Sequence, residues 1–324
     1  HAMAVLLVCA TFPLIWVGGL VTTYDAGMSV PDWPNTYGYN LFLYPWQTWL
    51  LGPFDLFIEH GHRLLGALVG LIAIATMIVT WRCDARRWVV CLSAAVLALV
   101  IVQGGLGGLR VTENEVQIAR IHGIVGPAFF ALTVALAVVT SRLWRDIKQP
   151  MSHDGASKLQ RLAALTTGLV FVQLILGAHL RHLPADWSPY AFRAVVVFHL
   201  FMAAVLFFHV LILAWRVVGQ HRRVSALLFP CLALTLLIVA QIGLGSATWV
   251  ANYSWPQWAV QMGLGVGHTV QAGSYAQAMI VTAHQATGSL ILGLGVVLTL
   301  RAFRLLSAPS SLPGPSVTLK GVVA

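Results

Sequence analysis

Glu59-His60-Gly61-His62-Arg63-Leu64-Leu65-Gly66 runs straight into an apolar stretch that extends from Leu64 to Val79. An acid, two imidazoles and a guanidinium therefore stand at the head of a segment long enough to enter a bilayer. Ionisable groups in that position are expensive and mark function. The rest of the chain supplies His62 with a partner, a depth and a second copy of its surroundings.

Working outward, the 324 residues are 58% hydrophobic and only 9% charged, a balance that no water-facing exterior of this size accommodates. A span needs about 20 mostly apolar residues. That rule predicts an all-α polytopic membrane protein with eight spans, at 4–23, 57–81, 88–110, 119–141, 161–182, 192–217, 224–250 and 277–304. The net charge of +9 would by itself also suit nucleic acid. Its placement decides otherwise. Fourteen of the 19 basic residues (Arg82, Arg86, Arg87, Arg142, Arg145, Lys148, Lys158, Arg161, Arg216, Arg222, Arg223, Arg301, Arg304 and Lys320) follow the second, fourth, sixth and eighth spans. The other five, Arg63, Arg110, Arg120, Arg181 and Arg193, lie at the opposite ends. The positive-inside rule then sets both termini in the cytoplasm and two long loops, 24–56 and 251–276, outside.

Neither long loop contains a Lys or an Arg. The first carries Asp32, Trp33, Pro34, Tyr37, Tyr39, Tyr44, Trp46 and Trp49; the second carries Tyr253, Trp255 and Trp258. An interfacial aromatic belt and a functional lid both account for this, and the sequence leaves the two open. Cys9, Cys83, Cys91 and Cys231 have neither CxxC nor zinc spacing. His1-Ala2-Met3 reads as an expression remnant, and the apolar run after it is too long for a signal peptide.

An internal repeat is visible in the polar residues. The third span ends Gln103-Gly-Gly-Leu106-Gly107 and the seventh ends Gln241-Ile-Gly-Leu244-Gly245. Counting back from each Gln reaches His62 and His199; counting forward reaches His122 and His284. The chain is thus expected to form two tandem four-helix bundles related by pseudo-twofold symmetry, 1–150 and 151–324. Even numbers of spans give the halves one orientation.

His62, His122, His199 and His284 each fall about five to eight residues inside the outer end of a span, roughly 7–12 Å deep at 1.5 Å per residue. A single buried imidazole is most often a core histidine bonded to a carbonyl. Two at equal depth on facing helices of a bundle, twice over, suit a heme iron held from both sides. Zinc needs three or four ligands at one point, and a proton relay has no need of duplication. His60, His153, His179, His182, His209, His221 and His268 read as structural or solvated.

The halves differ at one place. Glu59 lies on the face of His62, within i,i+4 reach of Arg63, whereas Val196 and Leu200 hold the matching positions beside His199. Arg120 near His122 is matched by Thr282 near His284. The first site therefore has groups that move protons and meet anions, Glu59 being the candidate proton carrier. The second suits electron transfer.

Glu59-x-x-His62-Arg63, Gln103-x-x-Leu-Gly-Gly, His122-Gly123, the pair His199 and His284, and Gly27-Met-Ser-Val-Pro-Asp32-Trp33-Pro34 together resemble heme A synthase, over about 16–304. The resemblance implies an oxidoreductase of the bacterial cytoplasmic (inner) membrane that acts on a CH or CH2 (methyl) group. It would oxidise the C8 methyl of heme O to the formyl of heme A. His62 and His122 would flank the substrate heme, with Glu59 and Arg63 in the catalytic set, and His199 and His284 would be the iron ligands of a resident heme b. Heme O synthase and cytochrome c oxidase assembly are the implied partners. Many members carry a cysteine pair in the first outer loop; Val30 and Thr36 fill those places here, so no thiol relay runs through it. A diheme b-type electron-transfer protein without turnover, and a heme exporter or chaperone, are the rival readings.

Overall fold

The computed structural model describes residues 1–183 and 187–309; Lys320, counted above for orientation, lies outside the described residues. Eight helices are long and apolar enough to cross a bilayer. We number them α1 (Ala2–Thr23), α2 (Phe54–Cys83), α3 (Arg87–Thr112), α4 (Val116–Thr140), α5 (Ala156–Arg181), α6 (Pro189–His221), α7 (Ser225–Tyr253) and α8 (Tyr275–Leu305).

Most of these helices outrun the predicted spans by a few residues, because hydropathy sees the hydrocarbon core and not the caps. Ser188 accepts a hydrogen bond from the Ala191 N–H, with Pro189 in the first turn. Ser274 likewise accepts from Gln277 N–H at the head of α8. Both place the helix start a turn or so before the apolar run. The four histidines consequently sit six to ten residues inside their helices, somewhat deeper than the sequence suggests.

Inside a bilayer each polar group needs a partner in the protein. Thr11, Thr76, Thr140 and Thr166 meet this locally, each donating to the carbonyl four residues back. Pro13, Pro127 and Pro230 lie inside α1, α4 and α7, as membrane helices tolerate. Leu68, Leu71, Phe208, Trp215 and Leu236 are exposed, a surface that only lipid covers at low cost.

The helices pack as two rings. Each of α1–α2, α2–α3, α3–α4 and α4–α1 is a contact, and so is each of α5–α6, α6–α7, α7–α8 and α8–α5. The rings meet where α1, α4, α5 and α8 touch. In α4 and α8 half of the most apolar window is buried, against 28% or less in the others, so these two form the centre. Phe130, Val134 and Val138 of α4 pack there with Phe12 and Ile15 of α1 and Leu290 and Val297 of α8.

Polar ties hold the rings in register at the end that carries the histidines. Arg181 Nη2 donates to Gly19 O at 2.6 Å and to Thr23 Oγ1 at 2.7 Å. Arg120, buried in α4, donates to His182 O at 2.7 Å and lies 3.4 Å from His179 Nε2. At the opposite end Met151–Ser152 pairs in parallel with Leu306–Ser307. His221, expected to be solvated or structural, is buried there with its ring 4.4 Å from that of His153.

Charged hydrogen bonds of this kind contribute about 1.5–3 kcal/mol each. Arg181→Met should therefore lower thermal stability in detergent clearly, whereas Arg193→Met, at an exposed position, should leave the melting curve in place.

Candidate heme-binding site and its loop

His62 on α2 and His122 on α4 face each other across the first ring. Their ring centroids are 6.4 Å apart and their planes stand at 83°. The planes are crossed, not stacked. An ion midway between two imidazoles with metal–nitrogen bonds of about 2.0–2.1 Å puts the centroids roughly 6.3 Å apart. The observed separation suits one iron between them. His199 on α6 and His284 on α8 take the matching places in the second ring.

Each ring is seated the same way. Nδ1 of all four imidazoles is sealed from solvent without a hydrogen-bond partner among the described residues. Among the described residues no Nε2 of the four has a hydrogen-bond partner, and none is a sealed, orphaned atom, so it is the nitrogen left available. The Cε1 side rests on a glycine of the preceding helix. A Cβ built at Gly18, Gly107 or Gly245 would lie 2.8, 3.1 or 3.0 Å from Cε1 of His62, His122 or His284 respectively; at Gly177 it would stand 3.7 Å from His199. A methyl group at Gly18 would force the ring to shift, and at Gly107 or Gly245 the ring would have to give by a few tenths of an ångström.

Three of the four main chains are also gripped. Gln103 Nε2 donates to His122 O at 2.9 Å, Gln173 Nε2 to His199 O at 3.0 Å, and Gln241 Nε2 to His284 O at 2.9 Å. The sequence carries this signal as Gln103-x-x-Leu-Gly107, Gln173-x-x-Leu-Gly177 and Gln241-x-x-Leu-Gly245. The copy at Gln173 lies in the fifth span, outside the pair of spans whose polar residues reveal the repeat.

Glu59 is 3% exposed. Its Oε1 accepts from Arg63 Nη2 at 2.7 Å and its Oε2 from the Val30 N–H at 2.8 Å. Arg63 donates further to the carbonyls of Val30, Asp32 and Asn35. The pair is a buried clasp for loop 24–56, not a surface ion pair. His60 points away from His62, as its spacing requires; it meets Thr36 Oγ1 at 3.0 Å between the rings of Trp49 and Tyr44. Val30 and Thr36, both wholly buried, are the loop's two anchor points. Trp33 packs on Gly108 and the Arg110 guanidinium on Gly27, so the loop also rests on α3.

Within the loop Asp32 accepts from the Tyr37 and Gly38 N–H groups at 2.8 Å each. Partial burial pushes its carboxyl up, but these two donors and the charge of Arg63 outweigh that and hold it below the usual range. Of the arginines at this end, Arg120 and Arg181 are committed to the inter-ring ties, while Arg110 makes no side-chain hydrogen bond among the described residues.

Comparison with known proteins places the chain. The family model described as cytochrome oxidase assembly protein matches residues 52–261, well over half of the sequence. The chain belongs to that family. Similar curated proteins include heme A synthases of Shouchella clausii (25% identical, covering 83% of this chain and 92% of the relative) and Maricaulis maris (26%, 86% and 93%). The heme A synthase of Hyphomonas neptunium is 26% identical over 56% of this chain. The chain spans 60% of that relative's length, and 27% of a protoheme IX farnesyltransferase of Halobacterium salinarum to which 128 residues are 29% identical. The family match takes in Glu59, His62, Arg63, His122 and His199 and stops short of His284.

Two outcomes follow from the geometry. Gly245→Ala should displace the His284 ring and alter the absorbance of any heme bound in the second ring, while Gly177→Ala, at ordinary contact distance, should leave it unchanged. Because Asp32 titrates below its unfolded value of about 3.9, the stabilisation it gives the loop is complete above that pH and is lost as pH falls through the lower folded value. Trp33 fluorescence should report that loss, and Asp32→Asn should abolish its pH dependence.

Proposed function

We propose that this protein oxidises the C8 methyl of heme O to the formyl of heme A, with the substrate held between His62 and His122. The observation that carries the reading is that pair: two imidazoles on facing helices, at the separation one iron requires, with free Nε2 atoms, beside a buried acid that the second ring lacks. Family membership and the names of the similar proteins support it. The two rings would be tandem domains, 1–150 and 151–324, with the basic ends of the helices and both termini in the cytoplasm of a bacterial inner membrane.

His199 and His284 would hold a resident heme b, and the donor set fits one: two neutral imidazoles with open Nε2 atoms, leaving the remaining coordination positions to a porphyrin. When bound it supplies one-electron transfer. All other chemistry attributed to the protein is positioning and proton handling. His62 and His122 would hold the iron of the substrate heme. The clasp of Glu59 and Arg63 holds loop 24–56 over the site and keeps water out. Each Glu59 oxygen uses one lone pair in that clasp and keeps another, so Glu59 can take a proton at a carboxylate oxygen without releasing the loop. Arg110, which makes no side-chain hydrogen bond among the described residues, would be free to meet a propionate.

Heme O synthase would supply the substrate and cytochrome c oxidase assembly would take the product. The partial likeness to a protoheme IX farnesyltransferase agrees with the first of these links.

Expression with a source of heme O, followed by mass identification of the bound hemes, tests the reading. Heme A or a hydroxylated intermediate is expected; heme b alone in both rings would instead favour a diheme electron-transfer protein. Glu59→Gln should lower product formation by about 10²–10⁴-fold, the range general acid–base groups contribute, with the second-ring heme spectrum intact.

A further inference from the structure

The glutamine clamp is present for three of the four histidines and missing for one. Each glutamine stands four residues before the glycine on which the histidine ring rests: Gln103 before Gly107, Gln173 before Gly177, Gln241 before Gly245. The position four before Gly18, which seats His62, is Leu14. Leucine has no amide to donate. Among the described residues the His62 carbonyl therefore accepts no side-chain bond from α1.

The clamps are not casual core contacts. In all three, the glutamine Oε1 is buried without a partner among the described residues. An orphaned buried acceptor costs free energy that a leucine at the same place would avoid, and leucine is what stands at 14. Groups that orient a metal ligand from behind control how firmly it holds. Both histidines of the second ring are clamped, as suits a permanent cofactor. In the first ring only His122 is clamped.

We infer that His62 is the exchangeable axial ligand of the first ring, with His122 as its fixed partner, and that Gln103, Gln173 and Gln241 are positioning residues which set this difference. The inference rests on the reading that a heme sits between His62 and His122. It adds a direction to that site: His62, on the helix of Glu59, would release the substrate while His122 would keep hold of it. The same asymmetry lets substrate and product come and go in one ring without loosening the other.

The test uses the full chain loaded with ferric protoheme, with cyanide as the competing ligand and stopped-flow absorbance as the readout. Two classes of heme are expected, one that binds cyanide quickly and depends on His62, and one that binds slowly and depends on His199 and His284. Leu14→Gln should slow the fast class by about tenfold, the lower end of what ligand-orienting partners change. Leu14→Met, similar in size but without a donor, should keep the original rate, so loss of packing is separated from gain of the clamp. Gln241→Leu should speed the slow class. Equal rates in the parent protein, Leu14→Gln and Gln241→Leu, with heme bound in both rings, would overturn the inference and leave the proposed function standing. If His62→Ala and His122→Ala change neither the amount nor the spectrum of bound heme, the functional reading itself fails, and the inference with it.

Discussion

Close approach between each histidine-bearing helix and the one before it is the constraint on which the site depends. A glycine in α1, α3, α5 or α7 lets the next helix lay the Cε1 edge of an imidazole against bare backbone, with Nδ1 sealed from solvent. Small residues are the usual means by which membrane helices come together, because lipid offers no hydrophobic drive for their association. Here the same device also aims a ligand. A Cβ at three of these places would push the ring away from the axis it shares with its partner.

The loop over the first ring is built on a second constraint, that a charge near the hydrocarbon must be paired and fully bonded. Glu59 and Arg63 satisfy one another and then use their remaining valences on the backbone of Val30, Asp32 and Asn35. This makes the loop a part of the site. It also explains why residues 30 and 36 tolerate a valine and a threonine: what holds them is the Glu59 carboxylate, the Arg63 guanidinium and the His60 imidazole. The choice between an aromatic belt and a lid, open in the sequence, falls towards a clasped cover for residues 24–56. The exposed Tyr37, Tyr39 and Trp46 still suit an interface with lipid headgroups.

The two rings share their seating and differ in their surroundings. The first has Glu59, Arg63 and Arg110 and leaves His62 without a clamp; the second has Val196 and Leu200 beside His199 and clamps both histidines. Arg120 and Arg181, at the same end as the histidines, tie α4 to the end of α5 and α5 to α1. That role was hidden because it joins residues 59 to 162 positions apart, across a ring boundary that no periodicity marks.

Hydropathy by itself determined that the chain is eight apolar helices, since a bilayer admits only segments that satisfy their own backbone, and the apolar length needed for that is written locally. Spacing likewise picked out His62, His122, His199 and His284, and i,i+4 geometry linked Glu59 to Arg63. Only tertiary structure decided that the His62 and His122 rings stand 6.4 Å apart and crossed, that Glu59 grips Val30, that His60 anchors Thr36, and that glutamines at 103, 173 and 241 hold histidine carbonyls on the next helix. Each of these depends on the rotation and offset of one helix against another, which is set by the sum of many side-chain contacts and by where glycine allows contact, and no single stretch of sequence contains that sum.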